Sequence, residues 1–165
     1  MSTNKIYFGG ADTHYHLDRC GKSVLAYWNE LKADRHLPRK SDFDPMMVPR
    51  ALPGLLIVEL GPDPGAFKYR LVGTREVDIR GWDPTGRLVT EGFIGDSVEQ
   101  VLGNYNHLIE TVAPFTVKGV FGKSNGVWVE DVSLYLPMAD DTDTLKYAFV
   151  YSYQRPPPNE QGTKM

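Results

Sequence analysis

The sequence predicts an α+β domain: a five-stranded antiparallel sheet with helices gathered on one face and an extra N-terminal helix ahead of it. Three observations lead there. Periodicity gives the element order helix, two strands, short helical segments, one longer helix, three strands. Strands within each group are too close together for parallel crossovers, which need roughly a dozen residues or more. Only the link from the second strand to the third is long, and it carries the intervening helices.

Residues 1–20 hold little apolar periodicity and contain Gly9-Gly10, so they read as a flexible arm before a domain spanning residues 21–154. Ser23 is a plausible N-cap for a helix to Arg35, on which Val24, Trp28 and Leu31 form an apolar stripe widened by Leu25 and Tyr27. That face must be buried on its own sheet or on a second copy. Pro38 and Pro45 bracket a loop, Met46–Leu52 makes one or two helical turns, and Pro53-Gly54 ends them. Leu55–Leu60 is an apolar strand, and Gly61-Pro62-Asp63-Pro64-Gly65 turns it into Ala66–Gly73. There Phe67, Tyr69 and Leu71 alternate with Lys68, Arg70 and Val72.

Thr74–Thr90, broken by Gly81, Pro84 and Gly86, suits short helical turns. Asp96–Val112 is the strongest helix, capped by Asp96 or Ser97 and stopped by Pro114. Three alternating runs follow: Phe115–Gly122, then Gly126–Leu136 ended by Pro137, then Leu145–Tyr153 after a turn at Asp140–Asp143. Residues 155–165, with three prolines, read as a flexible tail.

With 165 residues, 41% hydrophobic and 24% charged, the chain suits one domain with a buried core. A net charge of -3 with scattered basic residues argues against a nucleic-acid partner. The densest basic group, Arg35, His36, Arg39 and Lys40, lies in a proline-broken loop and reads as a solvated linker. The lone Cys20 excludes an internal disulfide and suits a reducing compartment. No signal-like segment and no apolar run of membrane-spanning length occur, so a cytoplasmic protein without a membrane partner is expected.

Tyr27-Trp28, Pro38, Asp42-Phe43-Asp44-Pro45, Leu52-Pro53, Tyr69-Arg70-Leu71-Val72-Gly73-Thr74 and Gly81-Trp82-Asp83-Pro84-Thr85-Gly86 follow one another in a spaced series. Together with the element order, that series resembles the alphaproteobacterial PAS-like family, whose members are mostly small lone-domain proteins. The likeness covers roughly residues 23–153. It implies a sensing and docking module whose ligand, when there is one, lies between the sheet and the intervening helices. Each motif also has a purely structural reading. Gly73 supplies backbone freedom at a strand end, Asp83-Pro84-Thr85-Gly86 is a turn, and Asp42 and Asp44 flank Phe43 as caps around a core plug.

By position in such a fold, Leu71, Val77, Ile79, Trp82, Tyr105, Ile109, Phe121, Leu134 and Phe149 are the candidates to line the ligand space. The same residues read equally as a filled core, and a register error of one reverses every strand assignment. No cofactor is named by these residues. Some haem-binding PAS domains carry a proximal histidine on the longer helix, where this chain has His107, but His107 falls off the apolar stripe and reads as a surface residue. Cys20 precedes the domain, which disfavours a flavin-reactive thiol.

Asp12, His14, His16, Asp18 and Cys20 would share one face if extended, a pattern that could meet a metal, yet no framework positions them and incidental composition is the preferred reading. Glu130 and Asp131 fall on opposite sides of a strand, so they do not form an acid–base pair. With no G-x-S-x-G, H-E-x-x-H or P-loop present, catalysis is not expected.

The functional expectation is a cytoplasmic sensory or regulatory module that binds a small ligand, a partner protein, or both, and signals in trans. The helix Val24–Leu31 and the aromatic strand Leu145–Tyr153 are the suspected surfaces, and packing of that helix across a two-fold axis would give a homodimer. The rival reading is an enzyme or carrier on an NTF2-like cone. A cluster of Asp, His and Tyr in a deep pocket would favour that rival.

Overall fold

Strand β5 (Trp128–Ala139) is the spine of the sheet. In the computed structural model, which describes residues 6–95, 97–123 and 125–157, β5 pairs with β4 (Phe115–Gly122) on one side and β6 (Leu145–Arg155) on the other. β6 continues to β2 (Leu55–Glu59), β2 to β3 (Lys68–Val72), and β4 to β1 (Ile6–Gly9). The result is a six-stranded antiparallel sheet in the order β1-β4-β5-β6-β2-β3. The five expected strands are present. The sixth, β1, comes from the segment read as an arm. As an edge strand it buries no alternating face, so its sequence carries no period-2 signal.

β5 also runs through Pro137 instead of stopping before it. β4 pairs only as far as Tyr135, so Pro137 sits where one side of β5 has no strand neighbour, a place that tolerates a missing N–H.

Helix α1 (Arg19–Lys32) starts four residues earlier than Ser23, because Asp18 accepts a hydrogen bond from the Gly21 N–H at 2.7 Å and caps it. Its apolar face rests on its own sheet. Val24 and Trp28 are buried, and the Trp28 Nε1–H donates to the Pro137 carbonyl at 2.9 Å. Of the two burials expected for this stripe, on its own sheet or on a second copy, the one found is on the sheet. The following loop is pinned by 3-10 turns at Lys40–Asp42, Pro45–Met47 and Pro49–Gly54. Asp44 caps Met46, Asp42 pairs with Arg35 at 2.8 Å, and the Phe43 ring stands edge-on to Phe149 at 4.8 Å. The linker is thus anchored, and Arg39 adds a two-pronged pair with Asp143.

The long link from β3 to β4 holds α2 (Thr74–Arg80), α3 (Val89–Gly92) and α4 (Val98–Thr111). Gly73 is required before α2, since a Cβ there would lie 2.3 Å from the Leu52 carbonyl oxygen. Gly81 ends α2 with φ +77°, and Ser97 caps α4 through the Gln100 N–H. The alternative cap, Asp96, lies outside the described residues, as do residues 1–5 and 158–165.

The helices divide between the two faces of the sheet. α1 and the 3-10 turns cover Leu55, Ile57, Val132, Leu134, Leu136, Met138, Phe149 and Tyr151. α3 and α4 cover Leu56, Val58, Tyr69, Phe115, Val117, Tyr135 and Val150 on the opposite face. The aromatic side of β6 consequently lies beneath α1 and is no docking surface. In β3 the register skips Arg70 between the pairs Ile57↔Leu71 and Val58↔Tyr69, so Tyr69 and Leu71 point to opposite faces despite their spacing.

Trp28→Ala removes the largest side chain that α1 sends into the first core, together with its hydrogen bond. The expected loss is about 3–5 kcal/mol of stability, read as a lower urea midpoint.

Candidate ligand cavity

The pleat of β5 sends Asp131, Ser133 and Tyr135 towards α2 and α4, while Glu130, Val132 and Leu134 face α1. Glu130 is buried there against Arg155 at 2.5 Å, so the two neighbouring carboxylates are separated by the sheet. Between the odd-numbered face of β5 and the helices lies a cavity of about 80 Å³. α2 contributes Glu76 and Arg80, α4 contributes Gln100, Asn104 and Tyr105, and the sheet adds Leu56, Tyr69, Val117, Phe121, Val150 and Ser152.

Its polar groups form three bonded sets. The Ser133 hydroxyl donates to Asp131 at 2.6 Å and meets the Ser152 hydroxyl at 2.7 Å, and Gln154 Nε2 also donates to Asp131. Ser133 and Ser152 are cross-strand partners, which is what brings them together. On the helix side, Asn104 donates to the Tyr135 hydroxyl and accepts from the Tyr7 hydroxyl of β1. Arg80 is 3% exposed in its side chain and donates to the carbonyls of Gly92 and Glu76 and to the Tyr69 hydroxyl.

Glu76 stands out. Its side chain is 1% exposed, and among the described residues its Oε2 has no hydrogen-bond partner, with Arg80 Nη1 3.9 Å away. Burial raises its pKa from 4.5 to about 8, and the Asp131 charge adds to that. Arg80, Arg75 and the Ser152 side chain pull the other way without overcoming it. The hydroxyls of Tyr69, Tyr105 and Tyr135 are likewise raised, chiefly by burial, and all three stay neutral near pH 7.

Of the nine residues expected to line this space, Tyr105 and Phe121 do. Ile79 and Trp82 line an adjoining, more open groove of about 170 Å³ together with Phe93, Ile94 and Phe121. That groove shares Arg80, Ile94, Gly95 and Phe121 with the cavity and forms its mouth. Val77 is half-buried on α2 away from both, and Ile109 is 38% exposed on α4.

Leu71, Leu134 and Phe149 pack against the opposite face, beneath α1. Because both faces of the sheet are covered, both parities of each strand are apolar, and alternation alone does not say which side holds the cavity. Glu76 was missed for a related reason. With Arg80 four residues on, it has the spacing of a solvated helical ion pair.

His107 does not face the cavity; its ring packs edge-on to Phe115 at 4.6 Å and lies 5.0 Å from Tyr7. The extended face required for a metal at Asp12–Cys20 does not form, because Gly10–Asp12 is a 3-10 turn and Asp18 and Cys20 belong to the start of α1. Asp18 accepts from the Tyr151 hydroxyl at 3.0 Å, and the His16 ring packs at a tilt against Phe8. Among the described residues no group of three His, Cys, Asp or Glu side chains is placed to hold a metal, and no helix is long and apolar enough to cross a membrane.

A family model described as PAS domain matches residues 18–149. The chain belongs to the PAS domain family. Among curated proteins, none matches the sequence significantly. Solved structures share the fold at low identity. An RNA-binding light-oxygen-voltage receptor superimposes with a TM-score of 0.51 at 12% identity, covering 92% of this chain and 38% of that one. This chain therefore spans well under half of that receptor.

A light-oxygen-voltage domain studied with a flavin analogue gives 0.51 at 11% identity, covering 72% and 87%. VqmA bound to DPO gives 0.50 at 14%, covering 67% and 56%. This PAS chain does not fit a flavin. Its cavity falls far short of the roughly 300–1,000 Å³ typical of pockets for such ligands, and its one cysteine lies on α1, across the sheet. The PAS match also replaces the cone-fold reading, although the tyrosines and Asp131 supply part of the polar cluster named for it.

Glu76 binds its proton more tightly folded than unfolded. The stability it contributes is present when protonated and is lost as pH rises from about 4.5 through about 8. Wild type should lose urea resistance across that window more steeply than Glu76→Gln, and the variant should be the more stable of the two at pH 8.

Proposed function

We propose that this PAS chain is a sensory or regulatory module. It reads occupancy of the cavity beneath α2 and α4 and passes the state to a partner protein in trans, in the cytoplasm. The observation that carries this reading is the cavity itself. Polar groups from α2, α4, β5 and β6 converge on one space between the sheet and the helices. Empty space lined by polar side chains is destabilising unless water or a ligand satisfies them. VqmA bound to DPO offers a precedent for small-molecule loading in a protein of related fold.

The mouth of the cavity supports the same reading. Trp82 is 42% exposed on the groove shared with Arg80 and Phe121, so a change at α2 would be felt at the surface. Any homodimer in this scheme uses a surface other than the apolar stripe of α1, which the sheet occupies.

Native mass spectrometry of gently purified protein, compared with the denatured mass, tests the reading directly. The expected result is a small adduct that is retained by wild type and lost in Val150→Leu, which fills the cavity with one more methylene. A native mass equal to the bare chain, with no stabilisation by any member of a small-molecule library, would overturn the sensor reading in favour of a partner-docking module.

A further inference from the structure

The chemistry of the cavity wall narrows the class of ligand, and the inference rests on the sensory reading above. Two carboxylates reach this space, Glu76 from α2 and Asp131 from β5, against the single guanidinium of Arg80. Arg80 is committed elsewhere: its Nε donates to Gly92 O at 2.6 Å, its Nη1 to Glu76 O at 3.0 Å and its Nη2 to the Tyr69 hydroxyl at 3.4 Å. None of its N–H groups hydrogen-bonds the Glu76 carboxylate, whose Oε2 is left unpartnered in a side chain that is 1% exposed. The rest of the wall mixes apolar and aromatic side chains, among them Leu56, Val117, Val150 and Phe121, with the uncharged polar groups Gln100, Asn104, Ser133 and Ser152. A ligand that satisfies this wall donates N–H bonds, brings positive charge and carries a short apolar body. Aromatic rings around the site suit a cation as well. At about 80 Å³ there is room for roughly five water-sized groups.

We propose that the cavity binds a compact organic ammonium ion, with the Glu76 carboxylate as its counter-ion. The groups facing Glu76 are Asp131 of β5, Arg75 and Arg80 of α2, Tyr69 of β3, Tyr105 of α4 and Ser152 of β6. In the empty cavity these surroundings keep the carboxyl protonated near pH 7, its pKa being raised to about 8. An alkylammonium ion, with a pKa of about 10.4 like a lysine amine, stays charged across this range. Binding must therefore expel the Glu76 proton, and affinity rises from pH 6 to pH 8.

The test is calorimetric titration of the full chain with propylammonium and butylammonium, using butanol and butyrate as controls of matching shape. Wild type should bind an ammonium saturably and release close to one proton at pH 7, seen as heat that scales with the buffer's ionisation enthalpy. Affinity should tighten about fifty-fold from pH 6 to pH 8, as the ionised fraction of a carboxyl with a pKa of about 8 rises from about 1% to about half, and Glu76→Gln should weaken it at least tenfold while leaving butanol unaffected. Equal ammonium affinity in Glu76→Gln, absence of proton release in wild type, or tighter binding of butyrate or butanol would each overturn the proposal. Should the variant fail to fold, proton release by wild type decides alone. Butanol or butyrate binding that Val150→Leu abolishes would sink the ammonium class and leave the sensor reading standing, whereas no binding by any of the four compounds, with no native adduct, would sink both.

Discussion

The pleat of β5 governs both sides of this protein. Successive residues of the strand enter two environments: Val132, Leu134 and Leu136 form the apolar floor under α1, and Asp131, Ser133 and Tyr135 form the polar floor under α2 and α4. A slip of one residue in its pairing would exchange these sets, turning Asp131 to the α1 side and a leucine into the cavity. The register is held by ladders on both edges and by the two-residue match of Ser133 with Ser152. The bond from Trp28 to the Pro137 carbonyl fixes α1 to the same strand. The cavity and the core are therefore alternate products of one strand.

Against that floor, α2 places the least favourable group in the protein. A carboxyl with a lone unpartnered oxygen beside a nearly buried guanidinium is an expensive arrangement, and such pairs often contribute nothing net to stability. The position of Arg80, held by two backbone carbonyls, a tyrosine hydroxyl and the face of the Tyr69 ring, keeps it from fully neutralising its neighbour. The protein instead lowers the cost by holding the carboxyl neutral. A group kept protonated in this way is poised to change charge when something better than water arrives, which is why the ligand reading centres on Glu76.

Much of the architecture was legible in the sequence. Five strands, the long intervening link and an α4 cap at Asp96 or Ser97 follow from period, spacing and turn chemistry, and the motif series around Tyr69–Gly86 pointed to the PAS family that residues 18–149 match. β1 was not legible, because an edge strand with no buried face has no pattern to read. Three of the nine candidate pocket residues lie on the opposite face of the sheet. Leu134 and Phe149 are as apolar as their neighbours, and helices on both faces erase the polar–apolar contrast that would tell the sides apart. At Leu71 the bulge at Arg70 changed the side midway along β3. The signal that could have located the cavity was the polar exceptions, Asp131, Ser133 and Ser152, in otherwise apolar strands, read as a site and not as noise.

The measurement that bears most directly on this account is the titration of the Glu76 side-chain carboxyl by carbon-13 NMR, assigned by comparison with Glu76→Gln. The account predicts a midpoint near pH 8 in the free protein. A midpoint at the ordinary glutamate value would mean that the carboxyl is hydrated or fully paired, and would contradict the claim that a neutral, unsatisfied Glu76 defines the cavity.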